Sequence, residues 1–513
     1  MTKKKTVFLG SLFGVINIML SALGAIFVRR FFVANLGVEY LGITAIFSSI
    51  LGVLLALDCG IAGSLFYKIY KPLSDHDEEK IASVFRLIRA AYFFRAILIL
   101  VVGIIALFFL PKLCESSNIK LSYIFRSYVI YLILTTISYY IILYSFFIEA
   151  IQKRYIVSII TAITYLGSAV LQIMCLVKLK SYLIYIIISL LQPIITYCIC
   201  RKVAYKEFPL LKTKRKLVKD DLNDLSQIIK IAVHTLGTVI ASYTDAFLIT
   251  AFVGLSTLGL YDNYKVISTK VSALLDQITS SMKDPMRLLI AEGNKIKVEE
   301  ILQNINFLIF CIAGLCSLLY LSMITPFVKI WLGNDYILGF EIVLSSAFTL
   351  FLASLNYITV DTYYCVGCYK LDKKAPIIEI VINLGVSFIL GRIIGIAGVL
   401  IGTIFFYFVQ EILRTRKLFE FFFNKSPSNY LISYFEYSIF VFTVMIFSII
   451  IEFKITNTLN SLLAMIINSV STCLMFTVFV IVMFNKDKRF KYLIEIILRT
   501  RAKICTFLIR SHR

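Results

Sequence analysis

Histidine is almost missing from this sequence: three residues, His76, His234 and His512, in a chain of 513. So few leave histidine-based metal or acid–base catalysis little to build on. The dipeptide Gly-Lys does not occur, which removes the phosphate-cradling loop of P-loop ATPases, whose lysine follows a glycine directly. Charge is scarce as well. Only 16% of residues are charged and 59% are hydrophobic, whereas soluble domains carry about 45–50% apolar residues. Acids are scarcer than bases, 30 against 52, for a formal net charge of +22. The shortage of charge excludes an ordinary soluble fold and leaves an integral membrane protein, and its apolar stretches of helical bilayer length make the expected fold all-α.

The eleven cysteines are scattered through apolar stretches, as at Cys59, Cys175, Cys311, Cys316 and Cys473, where a thiol packs as a small hydrophobe. Cys365 and Cys368 form one C-x-x-C pair with no second pair or histidine nearby, so no metal site is expected. The spacing of Asp75 and Asp77 resembles a divalent-metal D-x-D, but Ser74 with Asp77 reads better as a helix-capping box.

About fourteen apolar stretches have bilayer length, from 7–30 to 462–484. The eighth, near 257–281, is polar enough to escape a hydropathy scan. The N-terminal stretch is longer than a cleavable signal core, so it is expected to stay as the first span. Placing the N-terminus in the cytoplasm puts roughly 38 basic residues inside and about 10 outside, so both termini are expected to be cytoplasmic. The positive charge then reads as topology and contact with anionic lipid, not nucleic-acid binding.

An internal repeat organises the spans. "ANLGVEYLGI" (34–43) follows span one and "AFVGLSTLGL" (251–260) follows span seven, matching at Ala34/Ala251, Gly37/Gly254, Leu41/Leu258 and Gly42/Gly259. An even number of spans separates the copies, so they run in the same direction through the membrane, as parallel repeats do. The expected architecture is two six-helix lobes around a central cavity, 1–200 and 228–413. A basic cytoplasmic linker, 201–227, joins them. Two further spans follow within 414–485, and the chain closes with a basic amphipathic cytoplasmic tail, 486–513.

Ionisable groups at membrane depth cost about 2.5–3.5 kcal/mol each on insertion scales, so they are expected to face a wet cavity or one another. In span eight Asp262, Lys265, Thr269, Ser272, Asp276, Thr279 and Lys283 recur every three or four residues, a polar stripe suited to a cavity wall. Lys270 falls on the other side and needs another partner, for which Asp245 is a candidate. The candidate binding cations are Arg29, Arg30, Arg95, Lys265 and Lys270; the candidate coupling or ion-pair acids are Asp58, Asp245, Asp276 and Asp361. Arg29 and Arg30 also suit snorkelling at a span end. The excess of cations favours an anionic substrate, and the short outer loops offer no place for catalytic residues, so no enzyme is expected.

The motifs add up to a family. "RRFFVANLGVEYLGI", "LALDCGIAGSLFYKIYKPLSDHDEEKI", "IQKRYIVS" and "YTDAFLITAFVGLSTLGLYDNYKVIS" resemble the polysaccharide flippase (Wzx) family, grouped with the multidrug and toxin extrusion exporters and the lipid II flippase. Asp58 stands where that family leads one to expect glutamate. The resemblance implies a bacterial cytoplasmic-membrane protein that carries undecaprenyl-diphosphate-linked oligosaccharide for O-antigen, capsule or similar polysaccharide by alternating access. A polysaccharide polymerase and chain-length machinery would be its partners. No cofactor is expected beyond a proton or sodium gradient. The alternatives are a cation-coupled exporter of small molecules and, from another class, a membrane glycosyltransferase or polymerase.

Overall fold

The computed structural model describes residues 3–55, 69, 72–73, 75, 77–212, 243–368, 374–456, 461–492 and 494–495. All regular structure among them is helical. In chain order the helices are α1 (Lys3–Leu36), α2 (Glu39–Leu55), α3 (Glu78–Ala106), the short α4 (Leu110–Leu113), α5 (Leu121–Ile141), α6 (Leu143–Ala150), α7 (Arg154–Lys178) and α8 (Tyr182–Glu207). After the helical stretch 243–252 come α9 (Leu255–Ala291), α10 (Lys295–Trp331), α11 (Phe340–Val366), α12 (Ala375–Ile394), α13 (Ile396–Leu418), α14 (Ser428–Thr456) and α15 (Ser461–Phe484).

Eleven helices among the described residues are long and apolar enough to cross a membrane. They coincide with eleven of the fourteen expected spans. The other three have separate reasons for falling short. Span two is described only as far as Leu55, and span seven only from Tyr243. Span eight is α9, a 37-residue helix whose charges and hydroxyls dilute its hydropathy, as its sequence foretold. Asp77 caps α3 directly, its carboxylate accepting from the Lys80 backbone N–H at 3.0 Å. The cap is therefore Asp77 itself; Ser74, the other half of the expected box, lies outside the described residues.

The chain forms two compact units: Met1–Lys270 with Pro376–Thr403, and Val271–Ala375 with Ile404–Arg513. In the first, α1 packs along α7, α8 packs on both α5 and α7, and α3 packs on α5. Small residues allow the close approaches, as where Gly24 of α1 lies under the Tyr165 ring. Phe85, Tyr144 and Phe147 form an aromatic knot, with the Phe85 and Phe147 rings 5.1 Å apart. In the second unit α10 is the hub, touching α11, α14 and α15. The rings of Phe310 and Tyr437 stack at 4.4 Å, and Phe476 packs over Gly314, where a β-carbon would crowd it.

The repeated motifs become two hairpins inside the first unit. Gly37 and Gly254 end their helices with φ of +89° and +106°, the left-handed turn that only glycine adopts cheaply. The hairpins then pack on each other reciprocally. A β-carbon on Gly42 would overlap the Leu255 carbonyl, and one on Gly259 would overlap the Val38 carbonyl. Val38 corresponds to Leu255 and Gly42 to Gly259, so each copy makes the same contact with the other. Such a reciprocal contact is what a local two-fold relation produces.

Candidate functional site

Charge gathers where α1 meets the first turns of α9. Arg29 donates to Asn263 Oδ1 from its Nε at 2.9 Å and forms an ion pair with Asp262. Eight residues earlier on α1, Ser21 Oγ accepts from Lys270 Nζ at 3.1 Å. As the α1 number falls by eight the α9 number rises by eight, so the helices run antiparallel with about 12 Å between the two links. Lys265, half-buried, lies on α9 between them. The α1–α9 seam therefore carries Arg29 and Lys270, with Asp262 as its acid, while Lys265 acts on Asp245. Arg30 is exposed, as a snorkelling side chain would be.

Asp245 was a candidate partner for Lys270, but the structure gives it other neighbours. It is buried, and the Thr403 hydroxyl meets both its oxygens, at 3.2 and 3.0 Å. Lys265 is the cation whose charge acts on it. Asn383 donates weakly to the same Thr403 hydroxyl, at 3.4 Å. Its own Oδ1 is buried with no hydrogen-bond partner. One turn along α12, Ser387 Oγ donates to the Val399 carbonyl at 3.1 Å. The cluster thus holds two carboxylate oxygens, a hydroxyl and an orphaned amide oxygen, more acceptors than donors. A surplus of buried oxygen suits a small cation or a proton. Thr403, Asn383 and Ser387 were missed from sequence, because the spacing of four between Asn383 and Ser387 on α12, like a lone threonine on α13, looks like ordinary helix packing.

The remaining candidates lie apart from these two places. Arg95 is only 5% exposed, its guanidinium set against the rings of Tyr92 and Tyr139 with centroids 5.3 and 5.1 Å away. Asp361 accepts from Arg287 at 2.9 Å, a pair within the second unit. Asp276 is half-buried in the same unit. Asp58 lies outside the described residues. The polar stripe is not uniform. Thr269 is exposed, but Thr279 is buried and turns its hydroxyl back onto the Leu275 carbonyl at 3.0 Å, so Thr279 does not line a wet wall.

These helices, hairpins and buried polar clusters define a class of multi-span membrane protein by fold. By sequence, no family model and no curated protein matches the chain. By structure, the lipid II flippase MurJ in an inward closed conformation matches with TM-score 0.59 and 15% identity, covering 94% of this chain and 99% of that one. A multidrug resistance MATE transporter of the MOP superfamily, inward-facing, matches with TM-score 0.58 and 15% identity over 79% and 96%. The MATE transporter VcmN of Vibrio cholerae gives 0.59 and 11% over 83% and 99%. The chain has the fold these transporters share.

Proposed function

We propose that this chain is a flippase that carries an oligosaccharide on a polyprenyl diphosphate across a bacterial cytoplasmic membrane. The observation that carries the reading is the α1–α9 seam, where Arg29 and Lys270 gather with Lys265 on the same helix, in a fold shared with a lipid II flippase over nearly the whole chain. A diphosphate brings about two negative charges, and moving it unpaired into the membrane would cost several kcal/mol. Lys265 and Lys270 are the first cations to meet it. Arg95 joins when its guanidinium leaves the two tyrosine rings, and arginine can then grip phosphate oxygens with a fork that lysine lacks.

In this reading the two six-helix lobes alternate access to a central cavity, and the reciprocal glycine hairpins are a contact that breaks and remakes. Asp245 with Thr403 and Asn383 seats the coupling ion, a proton or sodium. The likeness to MATE transporters favours a second reading, a cation-coupled exporter of small molecules, but the cation-rich seam opposes cationic drugs as cargo.

The test is surface polysaccharide in a flippase-deficient strain carrying each variant at matched membrane abundance. Lys265→Ala and Arg95→Ala are expected to abolish export, and Arg95→Lys to restore it in part. Full activity of both alanine variants would remove these cations from the substrate path. Drug resistance conferred without polysaccharide export would replace the flippase by the exporter.

A further inference from the structure

The second unit buries a carboxylate that the transport reading does not use. Glu411, in α13, is fully buried. Its Oε1 accepts from the Thr415 hydroxyl at 3.1 Å. Its Oε2 is also buried and accepts no hydrogen bond of ordinary length. A half-satisfied buried carboxylate is costly, and a proton on the unsatisfied oxygen removes the cost. Arg414, three residues on, is the charged group that acts on it, and its guanidinium is itself held over the Tyr363 and Tyr364 rings at 5.7 and 5.4 Å.

A line of polar groups leads away from Glu411. The Thr359 hydroxyl of α11 is close to the carboxylate but beyond ordinary hydrogen-bond length, and it lies 2.8 Å from the Tyr430 hydroxyl of α14. Tyr430 accepts from Asn306 Nδ2 of α10 at 2.6 Å. Asn306 and Tyr430 in turn line a cavity of about 330 Å3, along with Gln303, Ser433 and Arg489. A water needs only roughly 10–15 Å3 of such space, so the cavity holds several. Tyr434, the other hydroxyl facing this carboxylate from α14, is committed elsewhere, donating to Asn356 Oδ1 at 2.9 Å.

Hydrogens can run along this line in two orders. With Glu411 ionised, Asn306 donates to Tyr430 and Tyr430 can donate to Thr359, which leaves the Thr359 hydrogen free to turn toward the carboxylate. The reverse order is equally self-consistent. Protonated Glu411 can turn its hydrogen to Thr359, Thr359 donates to Tyr430, and the Tyr430 hydrogen turns toward the cavity that Tyr430 and Asn306 line. The two orders differ by one proton and three hydrogen bonds re-aimed.

We propose that Glu411 is a proton-binding site filled from the cavity beside Arg489 through Tyr430 and Thr359. In the loading step a cavity water gives a proton to the Tyr430 oxygen as the Tyr430 hydrogen passes to Thr359. The Thr359 hydrogen passes to Glu411, and the water leaves as hydroxide neutralised by bulk buffer. No bond other than O–H forms or breaks. The site opens at the membrane face expected, on basic charge, to be cytoplasmic, and is separate from the Asp245 cluster in the other unit.

The test uses the purified full-length protein in lipid nanodiscs and needs no substrate, so its failure is distinct from failure of the flippase reading. Infrared difference spectra taken between about pH 9 and pH 5, a range wide enough for buried carboxyls, are expected to show a protonated-carboxyl band that Glu411→Gln removes. In heavy water the exchange of that band is expected to be about tenfold slower in Tyr430→Phe, as loss of one hydrogen-bonded step implies. Thr359→Val should slow it likewise, and keeps the assay readable where Glu411→Gln fails to fold. A wild-type spectrum without the band would mean that Glu411 stays a carboxylate beside Arg414, and the same band in Glu411→Gln would mean that another carboxyl carries it; either overturns the site. Unchanged exchange in both hydroxyl variants would overturn the route.

Discussion

The two hairpins of the repeat differ in chemistry where they agree in packing. Gly37 and Gly254 end helices with the same backbone turn, and Gly42 and Gly259 accept each other's hairpin at the same point. At the same register, however, Val28 gives way to Asp245, Ala45 to Asp262, Ile46 to Asn263 and Ser48 to Lys265. Both members of the pair Ile46/Asn263 are fully buried, so the position is equally enclosed in each copy while only the second is polar. Packing positions repeat because two like helix pairs must meet the same way. Polar positions do not repeat, since no packing contact between the hairpins requires a charge at Asp245, Asp262 or Lys265.

The largest test of this contrast is Asp245→Asn. It removes the negative charge that Lys265 acts on and that the Thr403 hydroxyl meets. Export is expected to fall to background, with the loss following the coupling-ion gradient in vesicles. Asp245→Asn with full export would make the acid in the second copy as dispensable as Val28 suggests. Thr403→Val should retain partial export, because the carboxylate stays.

The packing half of the comparison is tested by Gly42→Ala and Gly259→Ala. Each added methyl meets a backbone carbonyl, which cannot move aside as a side-chain tip would, so each is expected to cost about 1–3 kcal/mol. Thermal unfolding in detergent should show nearly equal losses. The double variant should lose less than both together, since hairpins already pushed apart have room for the second methyl. Unequal losses would break the reciprocity.

The smallest effect concerns the link that only one copy permits. Arg29 and Asp262 keep 14% and 21% of their side-chain surface exposed, so solvent screens part of their attraction. A double-mutant cycle with Arg29→Ala and Asp262→Ala is expected to give a coupling of about 1 kcal/mol. A coupling of zero would mean that Asn263 alone holds Arg29.

Much of the fold was legible because hydropathy is a local property. A run of apolar residues partitions into lipid whatever surrounds it, so the spans, the polar character of α9 and the glycine hairpins could all be read along the chain. The candidate site was legible only as a set of residue types. That Asp245 must be shielded followed from its depth, but not that its neighbours would be Lys265 and Thr403 rather than Lys270, since Thr403 lies 158 residues away. Thr279 shares the period of Asp276 and was misjudged, because period places a residue on a helix face and neighbouring helices decide whether that face is wet.

By itself, the sequence determined the solvent of this protein, the order of its spans and the two glycine turns, since each depends on residues adjacent in the chain. Only the tertiary structure decided that Val38 meets Gly259 while Leu255 meets Gly42, that Arg29 pairs with Asp262, and that Thr359 meets Tyr430 beside a cavity. Those outcomes depend on which helices touch and in what rotation. That is a property of packing, to which residues far apart in sequence contribute equally.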